Sequence, residues 1–201
     1  MSGGATARLF VAVDPPLQVR EELAEWARGV AAAGSARGAL RLLDAHSLHL
    51  TLCFLGSRPV GEIEALSGAL RSCAERVCEL SVGAPLWLPP RRPRALAVEI
   101  QDRAGELARL QEHLGDALSE VSGWEPQRRR FRAHITVARM REGAVSARGS
   151  ISDRSSGAHP LPATPQLRFT PESIALYRSW LATAGATYEK IATCELAPAG
   201  H

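Results

Sequence analysis

The chain has no apolar run long enough to cross a bilayer, which excludes a helical membrane-spanning protein. Its opening, Met1 to Ala7, lacks a basic start, and Leu9 to Val13 is too short for the apolar core of a secretory leader. A cytoplasmic, non-membrane protein is therefore expected. Cysteine is sparse as well: Cys53, Cys73, Cys78 and Cys194 show no C-x-x-C pairing. Cys73 and Cys78 fall in a predicted helix five residues apart and do not share a face. That pattern argues against a structural zinc site and for reduced thiols. Charge of one sign is also scarce. A net +3 suits a soluble protein and leans only weakly toward an anionic partner.

What is present is an ordinary globular complement. With 201 residues and 45% hydrophobic content, the chain can bury a core as one domain or as two small lobes sharing a cleft. Strands are predicted at 8–13, 41–43, 48–56, 79–88, 94–100, 131–139, 173–177 and 187–196, the last two forming a hairpin around 184–186. Helices are predicted at 17–33, 61–77 and 103–121. The third carries Leu107, Leu110, Leu114 and Leu118 at helical spacing. Residues 143–165, rich in Gly, Ser, Ala and Pro, read as a flexible loop.

Two copies of His-x-Thr stand inside apolar, strand-like runs: Leu48-His49-Leu50-Thr51-Leu52 and Ala133-His134-Ile135-Thr136-Val137. Side chains alternate faces along a strand. His49 and Thr51 therefore share one face, with Leu50 and Leu52 opposite; His134 and Thr136 repeat the arrangement. One copy alone is ordinarily a half-buried histidine beside a β-prone threonine. Two matched copies point instead to a polar cleft whose imidazoles and hydroxyls do acid–base work on a phosphate. The rival reading is a metal centre. No Asp, Glu or Cys stands beside either motif at ligand spacing, and His46 is poorly placed as a third ligand, so no metal and no cofactor are expected.

The blocks Arg8-Leu-Phe-Val-Ala-Val-Asp14, Leu48 to Gly56, Phe131 to Arg139 and Leu176-Tyr177-Arg178-Ser179 carry a further signal. In this order they resemble the two-histidine (2H) phosphoesterases, and within them the RNA 2′,3′-cyclic phosphodiesterases, also called 2′-5′ RNA ligases. Ala133 stands where many members have proline. The resemblance implies an α+β fold, bilobal and pseudo-twofold, with two antiparallel-rich sheets facing a central cleft and helices outside, the whole chain forming one catalytic domain. It also implies hydrolysis of RNA 2′,3′-cyclic phosphate termini to 2′-phosphomonoesters, with ligation as the reverse reaction.

Histidine suits acid and base roles because both protonation states are accessible near neutrality. The resemblance assigns His134 as base and His49 as acid, although sequence alone leaves that polarity open. Thr51 and Thr136 are expected to donate to the non-bridging phosphate oxygens, and the resemblance adds Arg139. Strict alternation puts Arg139 on the opposite face from Thr136, so the strand must end or twist before it. Arg130 and Arg132, within the run 128–132, are candidate RNA contacts, and Arg91-Arg92-Pro93-Arg94 forms a second basic cluster. Phe10, Trp87, Trp124 and Trp180 are candidate stacking residues weighed against core packing, and Asp14 reads as a turn former. His113, His159 and His201 read as solvated. The expected partner is RNA with a 2′,3′-cyclic phosphate end, or a small cyclic nucleotide, met by a monomer. The alternatives are a 2H phosphodiesterase for another cyclic or 2′-5′-linked nucleotide, a non-catalytic RNA-end binding module, and a structural protein without a ligand.

Overall fold

The computed structural model describes residues 5–33, 38–90, 92–126, 130–141, 161–182 and 185–197. Strands and helices follow in the order β1 (Thr6–Val13), α1 (Leu17–Ala32), β2 (Leu40–Leu42), β3 (Leu50–Pro59), α2 (Ile63–Ser72), β4 (Leu80–Leu88), β5 (Ala95–Gln101), α3 (Glu106–Ser122), β6 (His134–Met140), β7 (Arg168–Phe169), β8 (Ser173–Ala182) and β9 (Gly185–Glu195). The architecture is the expected α+β type. The strands pair antiparallel in the order β7-β4-β5-β6-β3-β1-β8-β9, with β2 beside the far end of β6.

The two expected sheets are edge-joined. β3 and β6, the two His-x-Thr strands, meet through one register pair, Leu50 with Ile135. Both residues are fully buried. Burying each such side chain contributes roughly 1.5–3 kcal/mol, so the junction is held from the core side. On one side of it lie β5, β4 and β7; on the other lie β1, β8 and β9.

The helices tie the halves together. α1 follows β1 in sequence but packs on β2 and β6, across the junction. Its buried stripe is Val19, Leu23, Ala24, Ala27 and Val30. Pro16 precedes it with φ −49°, the angle its ring imposes, and accepts the Arg20 N–H at the helix start. α3 follows β5 yet packs on β3 and α2, burying the predicted Leu107, Leu110, Leu114 and Leu118. It stops at Gly123, whose φ of +60° is the left-handed cap that glycine adopts without a Cβ penalty. Buried residues from both halves form one hydrophobic cluster, from Leu9 and Leu23 to Leu96 and Val137.

Three expectations change here. α2 ends at Ser72, so Cys73 and Cys78 lie beyond it rather than within a helix to 77. The chain leaves the helix because Val77 turns into the core and the Cys78 N–H donates to the Glu106 carboxylate at 2.6 Å. β7 is a two-residue strand with too little periodicity to be read from sequence. Of the 143–165 segment, residues 142–160 lie outside the described residues. Residues 161–165 are tied down: Trp26 Nε1 donates to the Ala163 carbonyl at 2.9 Å, and the buried Thr164 hydroxyl donates to the Gly83 carbonyl at 2.5 Å. All four cysteines are free thiols. Among the described residues, no helix is long and apolar enough to cross a membrane.

Candidate active site

The pairing of Leu50 with Ile135 builds the site. Each residue directly follows a histidine, and antiparallel strands run in opposite directions from a shared pair. Continuing that register sets His49 across from Thr136 and Thr51 across from His134. Burial follows the same alternation: Leu48, Leu50, Ile135 and Val137 are buried, while both histidines and both threonines are half-exposed. The two motifs thus present their polar residues on one face around a local twofold relation.

Both histidines are oriented in the same way. His49 Nδ1 lies 2.8 Å from the Ser47 carbonyl oxygen, and His134 Nδ1 lies 2.7 Å from the Arg132 carbonyl oxygen. A carbonyl only accepts, so each Nδ1 carries the proton and donates. Each Nε2 is left to accept as a neutral base or to donate as an imidazolium.

A bulge follows each motif. On β6, Thr136 faces Ala97 and Arg139 faces Ala95, so one extra residue is absorbed between them. Val137 and Ala138 are buried in succession, alternation resets, and Arg139 emerges on the face of His134 and Thr136. This is the departure from strict alternation that the motif needed. β3 does the same: Thr51 faces Ala12, Cys53 faces Val11 and Phe54 faces Phe10, which returns Phe54 to the Thr51 face. Phe54 is 37% exposed, with the Arg8 guanidinium 4.7 Å from its ring centroid. Five residues after its histidine, the first motif therefore offers an aromatic ring where the second offers a guanidinium.

The surroundings of the two imidazoles differ. The His49 ring lies 4.8 Å from the Phe10 ring and 5.1 Å, edge-on, from Tyr188, and Phe10 stacks on Tyr177 at 5.1 Å. Burial in this cage pushes the His49 pKa below its ordinary value of 6.5. The Ser47 carbonyl and the Asp14 carboxylate oppose that shift, while the charges of Arg139 and His134 reinforce it. The second motif is thus within electrostatic reach of the first. His134 is more open and lies across β5 from Glu99, which pairs with Arg132 at 3.5 Å.

Asp14 does more than end β1. Its Oδ2 accepts the Tyr177 hydroxyl at 2.5 Å and the Lys190 ammonium at 2.7 Å. Burial and the Asp14 carboxylate push the Tyr177 pKa up, so its hydroxyl stays protonated as a donor. Asp14, His46, His49, Tyr177, Thr187 and Tyr188 line a cavity of about 290 Å³. Cys53, in the same strand as Thr51, is not a nucleophile: burial raises its pKa to about 12.

The remaining candidates sort by position. Arg130 and Arg132 are exposed next to β6; residues 127–129 and Arg91 lie outside the described residues. Phe10 is buried against His49. Trp124 is buried in the core, and Trp87 packs on the core side opposite Leu96. Trp180 is exposed beneath Arg178, on the face away from Tyr177. His113 is exposed and pairs with Glu75; His159 and His201 lie outside the described residues. Among those residues, no three His, Cys, Asp or Glu side chains gather as a ligand set. Sequence reading passed over Phe54, Tyr188 and Lys190 and set Asp14 aside. The shared five-residue offset from each histidine is the signal that finds Phe54.

Comparison with known proteins agrees with this geometry. Residues 13–95 match the family described as LigT like Phosphoesterase. A protein of Aeropyrum pernix named RNA 2′,3′-cyclic phosphodiesterase is 30% identical over 105 residues, 51% of this chain and 58% of that protein. The alignment thus spans just over half the length of that relative. Among solved structures, TT0787 of Thermus thermophilus is 26% identical, with a TM-score of 0.73 over 94% of this chain and 97% of that one. Escherichia coli LigT, solved in complex with 3′-AMP, shares the fold at 22% identity, with a TM-score of 0.76 over 96% of this chain and 100% of that one.

Proposed function

Because this chain carries a LigT-like 2H phosphoesterase domain, we propose that it hydrolyses RNA 2′,3′-cyclic phosphate ends to 2′-phosphomonoesters, without metal or cofactor. The observation that carries the reading is the twofold placement of His49 and His134 about the Leu50–Ile135 pair, each with Nδ1 tied to a carbonyl and Nε2 left for chemistry. A cyclic phosphodiester seated between them meets one imidazole on the side of the attacking water and the other on the side of the departing O3′. The neutral imidazole takes the proton of the water as its oxygen bonds to phosphorus. The imidazolium gives its proton to O3′ as the P–O3′ bond breaks. The proton count balances, and the two rings exchange protonation states over a turnover.

Thr51, Thr136 and Arg139 stand on the same face and supply donors where charge develops on the non-bridging oxygens. Phe54 offers a ring for the terminal base. The proposed polarity has His134 as base and His49 as acid. Burial of His49 works against its imidazolium, so that role relies on Asp14 and on the phosphate charge to restore the proton. The same groups run the reverse reaction, a 2′-5′ ligation, when a 5′-hydroxyl replaces water. The protein acts in this reading as a cytoplasmic monomer, its 201 residues forming one bilobal domain.

The test is incubation with a short RNA ending in 2′,3′-cyclic phosphate, in EDTA, with the product assigned by phosphorus NMR. A 2′-phosphate is expected. A 3′-phosphate would reverse the assignment of the leaving oxygen. No turnover, with the fold verified and other cyclic nucleotides inert, would leave an RNA-end binding module.

A further inference from the structure

The face that carries His134 continues outward across β5, β4 and β7. His134 faces Glu99 on β5; two residues on, Gln101 faces Ser81 on β4, and Ser81 faces Arg168 on β7. Side chains two apart on a strand share a face, so His134, Glu99, Gln101, Ser81 and Arg168 lie on one side of the sheet. Ser81 and Gln101 are joined at 3.2 Å. At the outer end they open into a cavity of about 460 Å³, which Arg103 and Arg168 also line. Gly83 keeps this floor low: a Cβ there would come within 3.2–3.3 Å of Gln101 and Glu99.

The charges along the path are arranged for a polyanion. Glu99 is matched by Arg132 at 3.5 Å, and Glu79 by Arg168 at 3.0 Å. Arg103 adds a third guanidinium against those two carboxylates, and Ser81 and Gln101 add neutral hydrogen-bonding groups. Three strand spacings across the sheet and two residues along it put the Arg168 position roughly 16 Å from His134. That is the reach of a few nucleotides of single strand, too far for any part of a lone nucleotide held at the histidines.

We propose that this cavity is a second binding subsite, which takes the ribose–phosphate backbone of the RNA a few nucleotides upstream of the reacting end. Arg103 and Arg168 contact phosphate, and Gln101 and Ser81 hydrogen-bond the sugar–phosphate edge. The inference rests on the reading of the His-x-Thr cleft as the site for the cyclic end. It adds that the protein selects chains over mononucleotides, and that the selection weakens with salt as backbone contacts do.

The test uses two readouts on the wild-type chain and on a variant carrying Arg103→Gln and Arg168→Gln. One compares kcat/KM for a 2′,3′-cyclic mononucleotide with that for a six-nucleotide RNA bearing the same end. The other measures anisotropy of a labelled six-nucleotide RNA ending in a 2′-phosphate, which needs no turnover. The wild type is expected to favour the longer substrate several-fold, through a lower KM, and the variant to lose most of that preference and to bind the labelled RNA several-fold more weakly. Equal kcat/KM for both substrates in the wild type, or RNA binding indifferent to the two substitutions, would overturn the subsite. Variant-sensitive RNA binding by a protein that turns over no cyclic phosphate would uphold the subsite while sinking the reading of the cleft.

Discussion

The two His-x-Thr halves share a backbone and differ in what surrounds it. Each has a histidine pinned by the carbonyl two residues before it, a threonine on the same face, and a bulge that returns the fifth residue after the histidine to that face. Around His49 the sheet supplies Phe10, Tyr177 and Tyr188 with Asp14 nearby; around His134 it supplies Glu99 and Arg132 and leaves the ring open. After the bulge comes Phe54 in one half and Arg139 in the other. Matched frames with unlike environments let two identical imidazoles take different protonation roles on one phosphate. The halves are not interchangeable, because one holds an aromatic cage and the other a guanidinium.

Removing either ring breaks the comparison most sharply. His49→Ala and His134→Ala are each expected to lower kcat by about 10²–10⁴, with circular dichroism showing the fold retained. Truncating the residue after each bulge separates the halves next. Arg139→Ala is expected to lower kcat by about 10²-fold, as loss of a donor to developing charge does. Phe54→Ala is expected to raise KM for the terminal nucleotide several-fold with little change in kcat, since base stacking is made equally before and during reaction. Steady-state kinetics on one cyclic substrate reads both.

Stability in acid sharpens the contrast. The folded-state pKa of His49 lies below its ordinary value of 6.5, so the unfolded chain takes up this proton first. Its contribution is unaffected above 6.5 and turns destabilising as pH falls below that value, until the folded state is protonated as well. His49→Phe is therefore expected to flatten the decline of melting temperature between about pH 6.5 and 5 relative to wild type; an unaltered decline would contradict the burial argument.

The smallest effect is the most diagnostic. Asp14→Asn removes a charge that raises the His49 pKa. If His49 is the acid, the basic limb of the kcat/KM profile moves to lower pH. A shift in the acidic limb instead would make His49 the base.

Much of this site was legible in the chain. Period-two alternation put His49 with Thr51 and His134 with Thr136, and the buried sets opposite them followed. The α3 stripe read correctly because Leu107 to Leu118 repeat at helical spacing. Long-range pairing was not legible. The same alternation put Arg139 on the wrong face, because nothing in Val137-Ala138 announces that both residues are buried at a bulge. Asp14 read as a turn residue because its partners, Tyr177 and Lys190, lie on β8 and β9. α2 was drawn too long because residues 73–77 contain no breaker. The helix stops for a tertiary reason, the Glu106 carboxylate that takes the Cys78 N–H.

The central claim is that His49 and His134 act as one unit on a single phosphorus. Single-turnover rates for wild type, His49→Ala, His134→Ala and the double variant, on an RNA with a 2′,3′-cyclic end in EDTA, test it directly. The account predicts that the double variant is about as slow as either single one, because losing one member already disables the proton exchange. Losses that multiply in the double variant, or a single variant that turns over like wild type, would contradict it.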